Sequence, residues 1–328
     1  MIRRIAYPRA ALFGNPSDGF FGKTIAFPFR EFQAKVALEP KLSGIKLQDD
    51  DQHYPDIQGL HRSVSGRTKK SLLQAAVKRF ADHAKTHQIN LSDAGFEINF
   101  ESNIPLQVGM AGSSAIITAT WRALMQYFNL EIPPHLLANE VLAVETQEMG
   151  IGAGLQDRVV QAFECPIYMD FDKALMDLKG YGTYEPMQKT NFQNLYIAYM
   201  EGEPEGSEII HNDLRSRYDR GESEVHRVMR KLSELTTEAK KALESDVEQK
   251  NLGTLIDRNF DLRQSICQIA PAHLNMIRLA REHGASAKFT GSGGTIIGQY
   301  TSEEMYERLQ RTFEAQNIHI FKPTIVNQ

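Results

Sequence analysis

The chain has 328 residues and a formal net charge of −4. That length accommodates two domains of ordinary size, and 41% hydrophobic with 24% charged residues is the make-up of a soluble globular protein. A slightly negative chain sets up no global field for nucleic acid or an anionic membrane, and no run approaches a membrane span, so any phosphate must be held by local geometry.

Residues 5–12 read as a first strand, ending in the turn cluster Gly14-Asn15-Pro16-Ser17-Asp18-Gly19. The start, Met1-Ile2-Arg3-Arg4, faintly resembles a signal n-region, but Pro8 and Arg9 break the apolar run after it and no cleavage site is seen. Residues 24–29 read as a second strand, where Pro28 suggests an edge or a bulge. Alternation over 32–38 suggests a half-buried third strand. Residues 44–70 are polar and irregular and read as a lid or mobile loop.

A helix is expected over 71–85, with Leu72, Ala76, Phe80 and Ala84 near one face. His83 and His87 stand four apart on it without an acidic third ligand, and read as surface residues. Phe96, Ile98 and Phe100 alternate as a strand leading into residues 105–119. Helices follow to about 128, over 136–149, and from 155 after the break Gly150-Ile151-Gly152-Ala153-Gly154; 167–169 is a strand. The stretch 173–193 turns polar, which places the domain boundary there, giving domains 1–185 and 186–328.

The second half opens with a strand at 195–200, then three or four long amphipathic helices fill 207–284. Pro271 suits a first turn and Gly284 a helix end. Lys288-Phe289-Thr290-Gly291-Ser292-Gly293-Gly294 precedes a strand at 295–299, Thr301 and Glu304 fit a capping box, and a last strand lies near 318–321. The irregular alternation of strands and helices indicates an α+β class. Cys165 and Cys267 lie far apart outside any metal-ligand spacing and read as reduced thiols, which suits a cytoplasmic location.

The stretch Pro105-Leu-Gln-Val-Gly-Met-Ala-Gly-Ser-Ser-Ala115 carries the chemistry. Gly109 and Gly112 let the backbone turn and approach a ligand. The helix after them begins with N–H groups lacking intrahelical partners, and with the helix dipole they make an anion site. Ser113 and Ser114 add hydroxyls at its mouth, one for capping and one for a metal or phosphate oxygen. Alone, such a motif is equally a glycine turn capped by a serine. Gly22-Lys23-Thr24 mimics the tail of a Walker A loop, but Ser17 stands where that loop needs a glycine.

Four segments taken together are more specific: Pro8-Arg9 with the Gly14 turn, the central loop, Glu145 with Gly154-Leu155-Gln156-Asp157, and the Lys288 to Gly294 segment. In this order they resemble the GHMP kinases, and within them the glucuronokinase family. That likeness rests further on Phe21-Gly22-Lys23-Thr24-Ile25 and on Asn259-Phe260-Asp261-Leu262-Arg263. Asn15 in place of the Glu found in galactokinases argues against galactose.

The resemblance implies a two-domain fold, with a ribosomal S5-like first domain and a ferredoxin-like second one. ATP would lie between them, its phosphates on the N–H groups near Gly109, Gly112, Ser113, Ser114 and Ala115. Ser114 and Glu145 would hold Mg2+, with Glu148 the competing acid. Asp157 would accept or orient the hydroxyl proton beside Arg9. Asn15, Asp18, Gly291, Ser292 and Gly293 would meet a small-molecule sugar, with no nucleic-acid or membrane partner expected. The implied reaction is transfer from ATP to D-glucuronate at the anomeric hydroxyl. A uronic acid also requires a cation for its carboxylate, and Lys23, Arg30 and Arg158 are the candidates.

Overall fold

Tyr7 and Pro8 split the first apolar run into two strands, Ile2–Ala6 and Arg9–Phe13, which join different sheets. Proline has no N–H to give a ladder, so the run cannot continue through it. This is seen in a computed structural model, which describes residues 1–67, 69–91, 94–187, 192–202, 207–245 and 252–327, without the side chains of 207–212. Contacts group the chain into two units. One comprises Met1–Pro8, Phe32–Ile104 and Ala111–Glu164; the other Arg9–Glu31, Pro105–Met110 and Cys165–Gln328. The grouping interleaves along the sequence where a single cut near residue 185 was expected. Residues 188–191, part of the polar stretch given to that boundary, lie outside the described residues.

The first unit is built on a sheet in the order Ile2–Ala6, Ala34–Lys41, Gly95–Ser102, Ile45–Leu47, His53–Tyr54. Its pairs are antiparallel except Ile45–Leu47 with Gly95–Ser102, which is parallel. Helix Gly112–Tyr127 packs on this sheet against Ile2–Ala6 and Ala34–Lys41, burying ten of its residues, Trp121 among them. Helix Leu72–Thr86 starts with a capping box: the Ser71 hydroxyl accepts from Gln74 N–H, and Gln74 Oε1 accepts from Ser71 N–H. Phe80 from this helix meets Trp121 edge-on, ring centroids 5.2 Å apart. Of the two histidines, His87 is exposed as expected, while His83 is half-buried beside Trp121 with Nδ1 2.9 Å from Glu140. Residues 44–70 are also more regular than expected. Ile57, Leu60 and Val64 recur at helical spacing among polar residues, so helix Ile57–Val64 forms with that face buried.

The second unit holds two antiparallel sheets. One runs Arg9–Phe13, Lys23–Pro28, Ile167–Asp170, Thr183–Pro186. Lys23–Pro28 is therefore interior and not an edge; Pro28 is tolerated as its last residue, and the irregularity falls in the partner, between Ala11 and Phe13. The other sheet runs Lys288–Phe289, Thr295–Gln299, Leu195–Tyr199, His319–Phe321. Its core joins Tyr196, Phe260, Met276, Phe289, Ile296 and Phe313. Helix Pro271–Glu282 starts on its proline, and Gly284 follows its end at φ +82°. The last helix, Glu303–Glu314, is capped by Ser302, one residue later than the expected Thr301. Among the described residues no helix is long and apolar enough to cross a membrane.

Candidate active site

Ala111 adopts φ +63° and turns the chain into helix Gly112–Tyr127. Ala115 N–H makes the first helical bond, to Ala111 O at 3.2 Å. The N–H groups of Gly112, Ser113 and Ser114 precede that bond, which is the geometry of an anion site at a helix start. The two serines part company here. Adjacent helical residues are rotated by about 100°, so they cannot face the same way. Ser113 is exposed and donates its hydroxyl to Glu145 Oε1 at 2.7 Å. Ser114 is fully buried and donates to Ala111 O at 3.2 Å. The serine beside the acid is Ser113 and not Ser114, and neither side chain caps the helix. Ala115 is buried on the core side.

Glu145 reaches this position from a π-helical turn, Val144–Glu148, that continues helix Pro134–Ala143; Met149 N–H bonds Val144 O, five residues back. Such turns often mark functional positions, because the wider turn redirects side chains. The carboxylate is 1% exposed, and a charge so buried needs partners. Oε1 has Ser113, and Oε2 accepts from Nε and Nη2 of Arg158, the first at 2.7 Å. Arg158 Nη1 also donates to Gly154 O at 2.9 Å and lies 3.2 Å from Asp157 Oδ2. Asp157 is the third residue of helix Leu155–Phe163, where the dipole favours an anion.

One hydrogen-bonded line thus runs Ser113, Glu145, Arg158, Asp157. Glu148 is committed elsewhere, to Lys70 at 3.3 Å and Lys78 at 2.8 Å. Arg158 is the residue that sequence reasoning misplaced. As a helical neighbour it leaves the axis about 100° from Asp157, but its long side chain brings the guanidinium back beside the acid. A buried Glu demanding a cation was the available signal.

In the second unit Arg9 is 5% exposed. Its Nη1 donates to Gly109 O at 2.6 Å and Thr290 O at 3.3 Å, and its N–H bonds Met110 O at 3.3 Å. Gly291 lies so close to this guanidinium that a Cβ there would stand 3.0 Å from Arg9 Nη2 and 2.8 Å from Gly109 O. Asn15, expected to meet the sugar, is instead a strut: Nδ2 donates to Phe289 O and Gly291 O, each at 3.3 Å, and Oδ1 accepts from Lys288 Nζ at 2.6 Å. Asp18 is half-buried on the short turn Ser17–Phe20. Ser292 is half-buried, and Gly293 backs onto the His273 ring, 2.9 Å from where its Cβ would be.

Lys288 is buried, and its ammonium donates to Ala11 O, Asn15 Oδ1 and Phe289 O. Burial, then repulsion from Arg263 and Arg9, pulls its pKa well below the ordinary lysine value. Of the cations considered for a substrate carboxylate, Lys23 pairs with Asp170 at 3.2 Å, Arg158 holds Glu145, and Arg30 is exposed with its N–H on Thr324 O.

Residues 71–164 match the family model for the N-terminal domain of GHMP kinases. The chain is 33% identical over 308 residues to glucuronokinase 1 of Arabidopsis thaliana, covering 90% of this chain and 84% of that protein. The chain belongs to the glucuronokinase family of GHMP kinases. In fold it is similar to the mevalonate kinase of Methanococcus jannaschii (TM-score 0.75, 16% identity, 99% of this chain and 98% of that one). It is also similar to the galactokinase of Lactococcus lactis (TM-score 0.78, 15% identity, 99% and 94%). The α+β reading and the family resemblance therefore hold. As a member of this family the protein is a phosphotransferase with a hydroxyl acceptor, and it uses ATP.

The donor set near the helix start suits a divalent cation held partly by phosphate. It offers one hydroxyl and one carboxylate oxygen 2.7 Å apart. Among the described residues no group of three or more His, Cys, Asp or Glu could form an all-protein cage. Mg2+ takes few carboxylates and completes its shell with phosphate and water, so the pair fits that ion.

Proposed function

We propose that the protein transfers the γ-phosphoryl group of ATP to the anomeric hydroxyl of D-glucuronate, giving glucuronate 1-phosphate and ADP. The observation that carries the reading is the line from Ser113 through Glu145 and Arg158 to Asp157, in a chain with a glucuronokinase relative along 90% of its length. The N–H groups of Gly112, Ser113 and Ser114 hold phosphate oxygens. Ser113 Oγ and Glu145 Oε1 hold Mg2+, which offsets phosphate charge when bound. Ser114 keeps the turn closed through Ala111 O and takes no ligand.

Asp157 orients the acceptor hydroxyl and takes its proton as the sugar oxygen bonds to phosphorus and the bond to ADP breaks. Arg9 fixes the Gly109 turn.

The test is ADP release across a panel of uronic acids and neutral sugars, with phosphorus–carbon coupling to locate the phosphate. Glucuronate is expected to exceed glucose and galactose by about a hundredfold in kcat/KM, the worth of one buried charged contact of roughly 3 kcal/mol. Equal turnover of a neutral sugar would leave the family and remove the substrate.

A further inference from the structure

The turn into helix Gly112–Tyr127 is made by a residue ill suited to it. Ala111, just before the helix, sits at φ +63° and ψ +48°, the left-handed region where a Cβ crowds the following carbonyl. Residues at this position usually take extended angles and cap the helix with a side-chain oxygen, which alanine lacks. A strained conformation of this kind persists where its surroundings hold it.

The holding contacts converge on the Ala111 carbonyl. Its oxygen accepts from Ala115 N–H and Ser114 Oγ, each at 3.2 Å, and from Gln161 Nε2 at 2.9 Å. The first two donors belong to the helix that the turn begins. Gln161 comes from another element, helix Leu155–Phe163, and its Nε2 also donates to Tyr7 O at 3.1 Å. Its side-chain amide is thus engaged by two backbone carbonyls, and the residue is 1% exposed. The grip is returned by Arg122 of helix Gly112–Tyr127, whose Nη2 donates to Gln161 O at 2.7 Å. Gln161 also stands one helical turn after Asp157, on the same face of its helix.

In a trans peptide the N–H points opposite to the C=O. With the Ala111 carbonyl drawn into the helix and onto Gln161, the Gly112 N–H is turned outward from the helix start, where an anion binds. The N–H groups of Ser113 and Ser114 lie within the helix and take their direction from it. We propose that Gln161 is a positioning residue of the nucleotide site: by holding the Ala111 carbonyl it aims the Gly112 N–H at a phosphate oxygen of ATP. The proposal rests on the kinase reading above.

Its experiment measures Kd for MgATP and MgADP, KM for the acceptor at saturating ATP, and melting temperature in wild type, Gln161→Met and Gln161→Asn. Methionine matches the length of glutamine and leaves no donor. It also removes Gln161 Oε1, a buried acceptor with no hydrogen-bond partner among the described residues, which offsets the lost bonds, so the melting temperature is expected to change little. Kd for MgATP is expected to rise about fivefold, the worth of one neutral hydrogen bond, with a smaller change in acceptor KM. Gln161→Asn, whose amide falls one methylene short of Ala111, is expected to weaken MgATP binding likewise. A wild-type Kd in Gln161→Met, or an equal rise in acceptor KM, would overturn the proposal. If Gln161→Met does not fold, Gln161→Asn decides: weaker MgATP binding supports the role and a wild-type Kd removes it. Absence of glucuronate turnover in wild type sinks the proposed sugar alone, because the nucleotide titrations need no sugar, and the acceptor KM is then taken with whichever sugar of the panel is phosphorylated. Absence of MgATP binding in wild type would sink the phosphate site, and this role with it.

Discussion

The helix start at Gly112 presents backbone N–H groups, the hairpin tip at Gly291 has its carbonyls held by side chains, and the two are built in opposite ways. At the helix start the direction of the N–H groups is set mainly by helix geometry, and Ser113 and Glu145 furnish what a ligand needs. At the hairpin tip nothing regular sets the direction. It is held by Arg9, Asn15 and Arg263 pulling on carbonyls, with Lys288 pinning Asn15 from below. Substitutions at the first should thus change chemistry while sparing the fold. Substitutions at the second should change shape.

The largest effect is expected on the helix side. Asp157→Asn keeps the hydrogen-bonding outline of the residue and loses the proton acceptor, so kcat should fall by ~10²–10⁴ with ATP affinity and melting temperature kept. Single-turnover phosphoryl transfer with titrated ATP binding reads this. A near wild-type rate would make Asp157 merely a helix-start anion.

Gly291→Ala tests the other side. The new methyl would stand 2.8 Å from Gly109 O and 3.0 Å from Arg9 Nη2, which forces backbone to shift. The expected cost is ~1–3 kcal/mol in denaturant unfolding, together with raised KM values. A variant as stable as wild type would show that the tip is looser than its packing indicates.

The smallest effect concerns Lys288. Its folded pKa lies well below the ordinary lysine value, so between the two the unfolded chain binds a proton that the folded chain does not. Stability from this group is therefore lost as pH falls through the folded pKa and fully regained above the unfolded value, near ~10.4. Relative to Lys288→Met, wild type should gain stability as pH rises across that window, read by urea unfolding at several pH values. A constant difference would place the Lys288 pKa at its ordinary value.

What could be read from the sequence divides along the same line. The Gly112 helix start, the alternating strand at Phe96 to Phe100 and the strand after Gly294 are local signals, and the structure has them. Pro8 ended a strand that apolar content alone carried through. The choice between Ser113 and Ser114 depended on which face of the helix meets Glu145, which residue type cannot tell. Asn15, Lys288 and Arg263 act on residues 273 and 28 positions away, Asn15 with Lys288 and Arg263 with Gly291. No local pattern announces such contacts, so a sugar-binding role was the natural reading of Asn15 and none was found for Arg263.

The account turns on Ser113 and Glu145 forming the cation-binding pair at the helix start. Its most direct measurement is Mg2+ titration of phosphoryl transfer at saturating ATP, in Ser113→Ala and Ser114→Ala side by side. Ser113→Ala should need about tenfold or more Mg2+ for half-maximal rate, while Ser114→Ala, whose hydroxyl is buried on Ala111 O, should titrate like wild type. A shifted Mg2+ requirement in Ser114→Ala with an unchanged one in Ser113→Ala would contradict it.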